Sequence, residues 1–240
     1  MVKAVILAAG VGSRLRPITD RLPKCLVVVD GEPILHWQLE NLRGLGEVVL
    51  VLGYRSGMVR DYLAERRGPR VTIVENVDYE TTNNIYSLHL ARERLYGEPF
   101  LLLNGDVYCD PEIYRLVLSD RRGNIVPHDS GFFDPEELKL RAAGGRAMEI
   151  LPKKTGEGEC DGATIGMFKL GPTASRTMFD VLEGLMKDRK QRRHWFEHAL
   201  NVVLKKTRFH SLDIAGFKWV EIDTKEDLEK AQLFRFDGGG

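Results

Sequence analysis

The 240-residue sequence predicts an α/β fold, a mostly parallel sheet between two helical layers, from two observations. Through Arg122, apolar runs of strand length alternate with helical patterns. The first of these runs ends in small residues and glycine, as a buried strand does where its backbone must come close to a ligand. After Arg122 the rhythm changes to short strands with fewer helices, which adds an embedded α+β lobe.

Taken in order, Lys3–Ala8 is a buried strand, and Pro33–Leu42 is a helix with proline in its first turn. Glu47–Leu52 is the second strand and Ser56–Arg66 the second helix, with Ser56 as its N-cap. Val71–Val74 follows as a strand. Asn83–Leu95 is helical, because Ile85, Leu88, Ala91 and Leu95 share one stripe. Phe100–Leu103 is a strand running into Asn104-Gly105-Asp106, and Asp110-Pro111 opens the next helix. Right-handed crossovers bring the loops after such strands to one edge, where ligands bind. Beyond Arg122, Leu138–Leu140, Ala147–Leu151 and Thr164–Leu170 are short strands. Ala174–Lys187 and His194–Leu204 are helices, and Arg208–Leu212 and Trp219–Ile222 are strands. Thr224 with Asp227 forms a capping box, aspartate replacing the usual glutamate, for a last helix. The whole, residues 1–240, reads as one Rossmann-like domain. Residues 1–122 and 216–235 make its core, 123–215 its lobe, and Gly238–Gly240 a flexible tail.

Composition narrows the function classes. Thirty-five Lys and Arg balance 35 Asp and Glu, so no net charge draws the chain to nucleic acid or to an anionic membrane. Hydrophobic content of 43% and charged content of 29% exclude bulk disorder. No apolar run nears the ~20 residues of a membrane span. The N-terminus has no secretory-signal layout, and Cys25, Cys109 and Cys160 are scattered and odd in number. A cytoplasmic location is the expectation.

The sharpest local feature is Leu7-Ala8-Ala9-Gly10-Val11-Gly12-Ser13-Arg14-Leu15-Arg16-Pro17, with Lys24 a short loop later after Pro23. Exposed N–H groups beside Arg14 and Arg16 suit a triphosphate. The run is not a dinucleotide fingerprint, since Leu15 stands where the third glycine belongs, and it lacks the Gly-Lys-Ser/Thr ending of a Walker loop. Three acids lie at predicted strand ends: Asp106, and the pair Glu221 and Asp223, whose two-residue spacing puts them on one face of a strand. Magnesium, which takes hard oxygen ligands and few protein carboxylates when it also holds phosphates, suits such a set.

From Leu7 to Lys24 the sequence resembles the signature of nucleotidyltransferases that make activated sugars and alcohols. The resemblance continues through Gly53-Tyr54, Asn83-Asn84-Ile85-Tyr86-Ser87-Leu88, Gly105-Asp106 and Trp219–Thr224, nearly the whole chain. The Asn-Asn-Ile-Tyr-Ser-Leu run looks most like the bacterial phosphocholine cytidylyltransferase branch, which also holds inositol-phosphate and phosphonate cytidylyltransferases.

The resemblance implies a Mg²⁺-dependent transfer of CMP from CTP to a small phosphorylated alcohol or phosphonate, with pyrophosphate leaving. Leu7, Ala8, Ala9, Gly10, Gly12, Ser13, Gly53, Asn84 and Gly105 would hold the nucleotide. Asn84 would read a pyrimidine edge with its amide, and Asn83 would cap the helix. Arg14 would hold the β- and γ-phosphates, and Lys24 would neutralise the α-phosphate. Asp106 and Asp223 would bind the metal, with Glu221 either a third ligand or an orienting group. Lys153, or Lys154 directly after it, matches a lysine that meets the acceptor phosphate. Tyr86, Trp195, Trp219, Asp129 and Glu197 complete the expected acceptor side, under a charged lid from Ser130 to Gly145. A sugar-1-phosphate transferase using UTP, dTTP or GTP, and a non-catalytic nucleotide-binding regulator, are the alternatives. A homodimer is compatible with either enzyme. His194-Trp195-Phe196-Glu197-His198 also spells the inverted zinc-protease motif, which requires both histidines on one helix.

Overall fold

The computed structural model describes residues 1–236; the glycine tail expected at Gly238–Gly240 lies outside them. In chain order the elements are β1 (Lys3–Ala8), β2 (Val28–Val29), β3 (Glu32–Pro33), α1 (Ile34–Asn41), β4 (Val48–Leu52), α2 (Ser56–Ala64) and β5 (Val71–Glu75). Then come α3 (Asn84–Leu90), α4 (Arg92–Leu95), β6 (Phe100–Asn104), β7 (Val107–Cys109), α5 (Pro111–Ser119) and β8 (Ile125–Asp129). The second half holds β9 (Lys139–Ala143), β10 (Arg146–Leu151), β11 (Ala163–Thr164), β12 (Met167–Leu170), α6 (Pro172–Leu185), α7 (Glu197–Lys206), β13 (Phe209–Asp213), β14 (Trp219–Glu221) and α8 (Lys225–Gln232).

Ten strands form one sheet in the order β11-β9-β10-β13-β8-β12-β6-β1-β4-β5. The half β6-β1-β4-β5 is parallel, with β1 between β4 (Leu7 opposite Val51) and β6 (Leu7 opposite Asn104). The chain leaves β1 toward β4 and β5, then returns to β6 on its other flank. The carboxyl ends of β1 and β6 are therefore the topological switch point, where such sheets bind ligands. Beyond β6 the pairing is antiparallel except for β8 with β13. β11 pairs with both β9 and β8, so the far strands curl back on themselves.

Each face of the sheet buries an apolar layer. Ile85, Leu88, Ala91 and Leu95, the stripe legible in the sequence, join Phe100, Phe168, Phe179 and Phe196 on the face covered by α3, α6 and α7. Ile6, Leu50, Leu101, Leu103, Val59 and Ile113 pack on the opposite face, under α1, α2 and α5. A smaller cluster joins Leu15 and Ile34 to Val220, Ile222 and Ala231, fixing β14 and α8 against the N-terminal loop. Each fully buried Val, Leu, Ile or Phe among them contributes about 1.5–3 kcal/mol by leaving water.

Several boundaries differ from the sequence reading. Ser56 is not a cap: Arg55 precedes the helix at φ +52°, and the Ser56 hydroxyl donates to Glu75 Oε1 at 2.7 Å. The expected helix Asn83–Leu95 breaks at Ala91, whose N–H still bonds back to Leu88. The expected strand Thr164–Leu170 is interrupted at Ile165–Gly166, where Gly166 takes φ +63°. β8 has no counterpart in the reading, because Pro127 argues against a strand. Pro127 opposes Leu212 of β13, while on its other flank β12 pairs only at Ile125 and β11 only at His128 and Asp129. The missing N–H thus falls in the gap between two partners. The capping box forms as expected: Asp227 N–H donates to Thr224 Oγ1, and Asp227 Oδ2 accepts from Thr224 N–H.

Helix α5 begins with Asp110, whose Oδ1 accepts from Glu112 N–H at 2.8 Å, and ends on a buried cation. Lys169 Nζ of β12 donates to the carbonyls of Val117, Leu118 and Asp120 at 3.1, 2.8 and 2.7 Å. A positive charge at a helix C-terminus satisfies carbonyls that have no intrahelical donor. Lys169→Met keeps the stem and removes the three donors. It is expected to destabilise the fold by about 1–3 kcal/mol, seen as a melting temperature lowered by about 2–4 °C per kcal/mol.

Candidate active site

The loop after β1 is shaped by contacts from below. Ala9 carbonyl accepts from Tyr54 N–H at 3.0 Å, and Leu7 carbonyl accepts from Gly105 N–H at 3.0 Å. A side chain at Gly105 would stand 2.8 Å from Leu7 O and 2.9 Å from Ala8 Cβ, so only glycine lets the β6 end close on the β1 end. Gly53 does the same under Ala9 and against Tyr79, which makes it a support of the loop and not part of the cleft wall. Gly12 turns the chain at φ +66°, and its carbonyl accepts from Thr19 Oγ1 at 2.8 Å. Above this floor a cleft of about 320 Å³ opens. Leu7, Ala8, Ala9, Gly10, Gly12, Ser13, Arg14, Lys24, Asn84 and Gly105 all line it, as the sequence reading expected. Arg16 turns away onto Asp20 at 3.1 Å.

Lys24 is the centre of charge. Its ammonium lies 2.5 Å from Asp106 Oδ2 and 2.5 Å from Asp223 Oδ1, so carboxylates from the β6–β7 turn and from the β14–α8 turn meet on one nitrogen. Burial alone would lower the Lys24 pKa, but the two carboxylates outweigh it and raise it to about 12. Asp223 is half-buried, which would raise its pKa, yet Lys24, Arg14 and Lys153 hold it below the usual carboxylate range. Arg14 Nη2 reaches Asp223 Oδ2 at 2.5 Å and is half-exposed toward the cleft.

The donor set suits a hard divalent cation. Two carboxylate oxygens lie within reach of a single positive centre, and Asp106 Oδ1 is buried without a partner. No cluster of three or more His, Cys, Asp or Glu that could hold a metal is found among the described residues. A cation here would take the two aspartates and leave its other positions to phosphate oxygens, which is the habit of Mg²⁺. Glu221 lines the same cleft but differs from the pair. Its carboxyl accepts from Asn104 Nδ2 at 3.3 Å, and burial together with Glu137, Asp106 and Asp223 pushes its pKa well up.

On the opposite wall Lys153, Trp195 and Glu197 face the cleft, and Lys154 does not. Lys153 Nζ stands 5.5 Å from the Trp195 ring centre. Glu197, the first residue of α7, is buried with Oε2 unpartnered, and burial pushes its pKa up to about 7. Asn84 Oδ1 accepts from Phe196 N–H at 2.8 Å, which takes one of that oxygen's two acceptor sites and fixes the amide at the cleft wall.

Three expected acceptor residues stand elsewhere. Tyr86 stacks on His89 and under Arg192. Asp129 and Trp219 bond each other, indole Nε1 to Oδ2 at 2.9 Å, as a buried brace. Their aromatic and charged character is spent on packing. The Ser130–Gly145 segment is not a free lid throughout, since its Lys139–Ala143 stretch is strand β9 of the main sheet. His194 lies in extended backbone before α7, so the protease motif has no common helix; its ring stacks on His198 at 4.7 Å.

The sequence reading missed Glu137, Asn76 and Tyr79 in the cleft wall. Glu137 is pushed up to about 7 by burial, against Lys153, with Asp223 and Asp106 adding to the rise. Asn76 braces the wall, donating to Thr82 Oγ1 and Ser87 Oγ at 3.1 and 3.0 Å. Asn76 and Tyr79 follow the carboxyl end of β5, which was their only signal, while Glu137 sits in a turn before β9 that carries none.

Comparison with known proteins agrees with this geometry. The chain is 34% identical over 246 residues to the CMP-5'-(3-aminopropyl)phosphonate synthase of Streptomyces rubellomurinus, covering 98% of this chain and 39% of that protein. It is 29% identical over 235 residues to the bifunctional IPC transferase and DIPP synthase of Aquifex aeolicus, covering 96% and 51%. It is 39% identical over 116 residues to the choline-phosphate cytidylyltransferase of Streptococcus pneumoniae, covering 48% of each. The chain thus spans about half or less of the length of these curated relatives. The solved CTP:phosphocholine cytidylyltransferase of Streptococcus pneumoniae superposes with a TM-score of 0.76 at 23% identity, over 96% of this chain and 97% of that one. The inositol-1-phosphate CTP transferase of T. maritima superposes with a TM-score of 0.76 at 22% identity, over 97% of each. The MobA-like NTP transferase domain matches residues 4–202, from the strand under the glycine loop into α7, and the chain belongs to that family of nucleotidyltransferases.

Proposed function

We propose that this chain is a CTP-dependent cytidylyltransferase that transfers CMP to a small phosphorylated alcohol or phosphonate. The observation that carries the reading is the Asp106–Lys24–Asp223 cluster at the β1–β6 switch point, beside a glycine loop open toward the cleft. The relatives whose names carry CMP or a cytidylyltransferase activity favour CTP as donor. In this reading residues 1–122 and 216–235 form the nucleotide side and 123–215 the acceptor side.

An acceptor phosphate or phosphonate oxygen attacks the α-phosphorus; the new P–O bond forms as the α–β anhydride bond breaks, and pyrophosphate leaves with its electron pair. The nucleophile is already anionic, so positioning and charge neutralisation suffice. The Leu7–Gly10 backbone and the Asn84 amide hold the nucleoside. Arg14 holds the β- and γ-phosphates, and Lys24 neutralises the α-phosphate. Asp106 and Asp223 would hold Mg²⁺, which supplies Lewis-acid neutralisation of the phosphate oxygens when bound. Lys153 meets the acceptor's phosphate, and the unpartnered oxygen of Glu197 accepts from a donor group elsewhere on the acceptor.

The test is pyrophosphate release with Mg²⁺ across CTP, UTP, GTP, ATP and dTTP. The acceptors are phosphocholine, phosphoethanolamine, 2-aminoethylphosphonate, inositol phosphate and several sugar 1-phosphates. Release confined to CTP and a non-sugar acceptor is expected. Release with a sugar 1-phosphate and UTP or dTTP would replace the cytidylyltransferase reading and keep the chemistry.

A further inference from the structure

The ladder between β9 and β10 ends at the pair Lys139–Leu151. Past it the two segments diverge, and Pro152 has no N–H with which to continue. Yet these segments carry two charged cleft-lining side chains, Glu137 on one and Lys153 on the other. What joins them is the side chain of Lys139, which is wholly buried. Its ammonium donates to the carbonyls of Asp134 and Glu137, each at 2.5 Å, and of Lys153 at 3.3 Å. The first two close the turn that also holds Glu137 N–H on Asp134 O at 3.1 Å. All three ammonium donors are thereby used.

A buried ammonium is a costly way to fill space, and an apolar side chain of similar volume does so without desolvating a charge. Lys169 uses the same chemistry to close a helix end on another part of the sheet. Lys139 uses it where two cleft segments have no other ladder between them.

We propose that Lys139 is a positioning residue for the acceptor side of the cleft, its ammonium pinning the Asp134–Glu137 turn to the Lys153 segment so that Glu137 and Lys153 face the cleft together. The inference rests on the acceptor being bound by Lys153, as read above. The variants are Lys139→Met, Lys153→Ala, their combination, and Lys169→Met as a control for the loss of a buried ammonium. Kinetics by pyrophosphate release, with CTP and acceptor varied separately, should show the acceptor KM of Lys139→Met raised about 10-fold or more, with the CTP KM unchanged. Lys169→Met should lower the melting temperature and leave both KM values alone. Adding Lys139→Met to Lys153→Ala should raise the acceptor KM no further, because the tether acts through that lysine. An acceptor KM unchanged in Lys139→Met, or effects that simply add, would overturn the positioning role. An unchanged acceptor KM in Lys153→Ala would instead overturn the acceptor assignment.

Hydrogen exchange separates the tether from the activity altogether. Without substrate, Lys139→Met should speed amide exchange in residues 131–138 and 153–158 and leave α5 as in the wild type; unchanged exchange there would sink the tether. Should the methionine variant not fold, Lys139→Arg carries the same measurements, since it keeps the charge but not the compact three-donor geometry.

Discussion

Lys24→Ala is expected to lower kcat/KM by about 10²–10³-fold while a cooperative melting transition is retained. Two effects act in the same direction. The ammonium that faces the incoming α-phosphate is gone, and two carboxylates that shared it at 2.5 Å each are left facing one another. An added anion then enters a site whose charge has become more negative by one unit. With its pKa raised to about 12, Lys24 is charged at every working pH, so no pH adjustment can mimic or mask the substitution. Lys24→Arg should not restore the rate, because a planar guanidinium cannot place one hydrogen-bonding centre between Asp106 and Asp223 on so short a stem. The check is steady-state pyrophosphate release on protein shown folded by thermal melting. A loss below about tenfold would remove Lys24 from the reaction and leave it a structural counter-ion.

That cluster shows what a single sequence makes legible. Lys24, Asp106 and Asp223 are far apart in the chain, yet each follows a recognisable signal: a glycine loop, an apolar strand, a strand before a capping box. Reading the strands put the acids at the carboxyl edge of one sheet beside the glycine loop, but β14, which leads to Asp223, pairs with β7 in a separate two-stranded sheet, and the place of Lys24 between the two aspartates was not legible. The rest depended on how side chains are used up, which periodicity does not report. Asp129 and Trp219 looked free to meet an acceptor but satisfy each other instead. Asn84 was legible as a cleft residue, while the bond from Phe196 N–H that takes one of its acceptor sites was not. Glu137 comes from a turn with no pattern, made into a wall of the cleft by a lysine two residues on. β8 was hidden by Pro127, whose cost vanishes only because the neighbouring strand breaks at Ile165–Gly166.

The same break sets the second large effect. Gly166→Ala is expected to destabilise the protein by about 2–5 kcal/mol and to depress activity beyond what the lost stability explains. Gly166 is at φ +63°, where any other residue is strained. Its carbonyl accepts from Asn104 N–H at 2.9 Å, so the backbone cannot relax without releasing the end of β6 just before Gly105 and Asp106. A Cβ there would collide with Glu221 Oε1 and stand 2.9 Å from Asn104 Nδ2 and 3.0 Å from Val107 Cγ2. Those two side chains bond each other on the cleft floor, and Glu221 is two residues from Asp223. The methyl would therefore push the β14 end away from the β6 end, separating the two aspartates that Lys24 joins. The combination Gly166→Ala with Glu221→Ala separates the Glu221 share of the cost from the rest. Removing the Glu221 carboxyl relieves the closest contact of the methyl, so that share of the steric cost should be recovered, while the contacts with Asn104 and Val107 and the backbone part, about 1–2 kcal/mol, remain. Thermal melting of the two single variants and the double reads this directly. No recovery in the double would assign the loss to backbone conformation and to the contacts with Asn104 and Val107, and the fit between Gly166 and Glu221 would then have no bearing on how the aspartates are held.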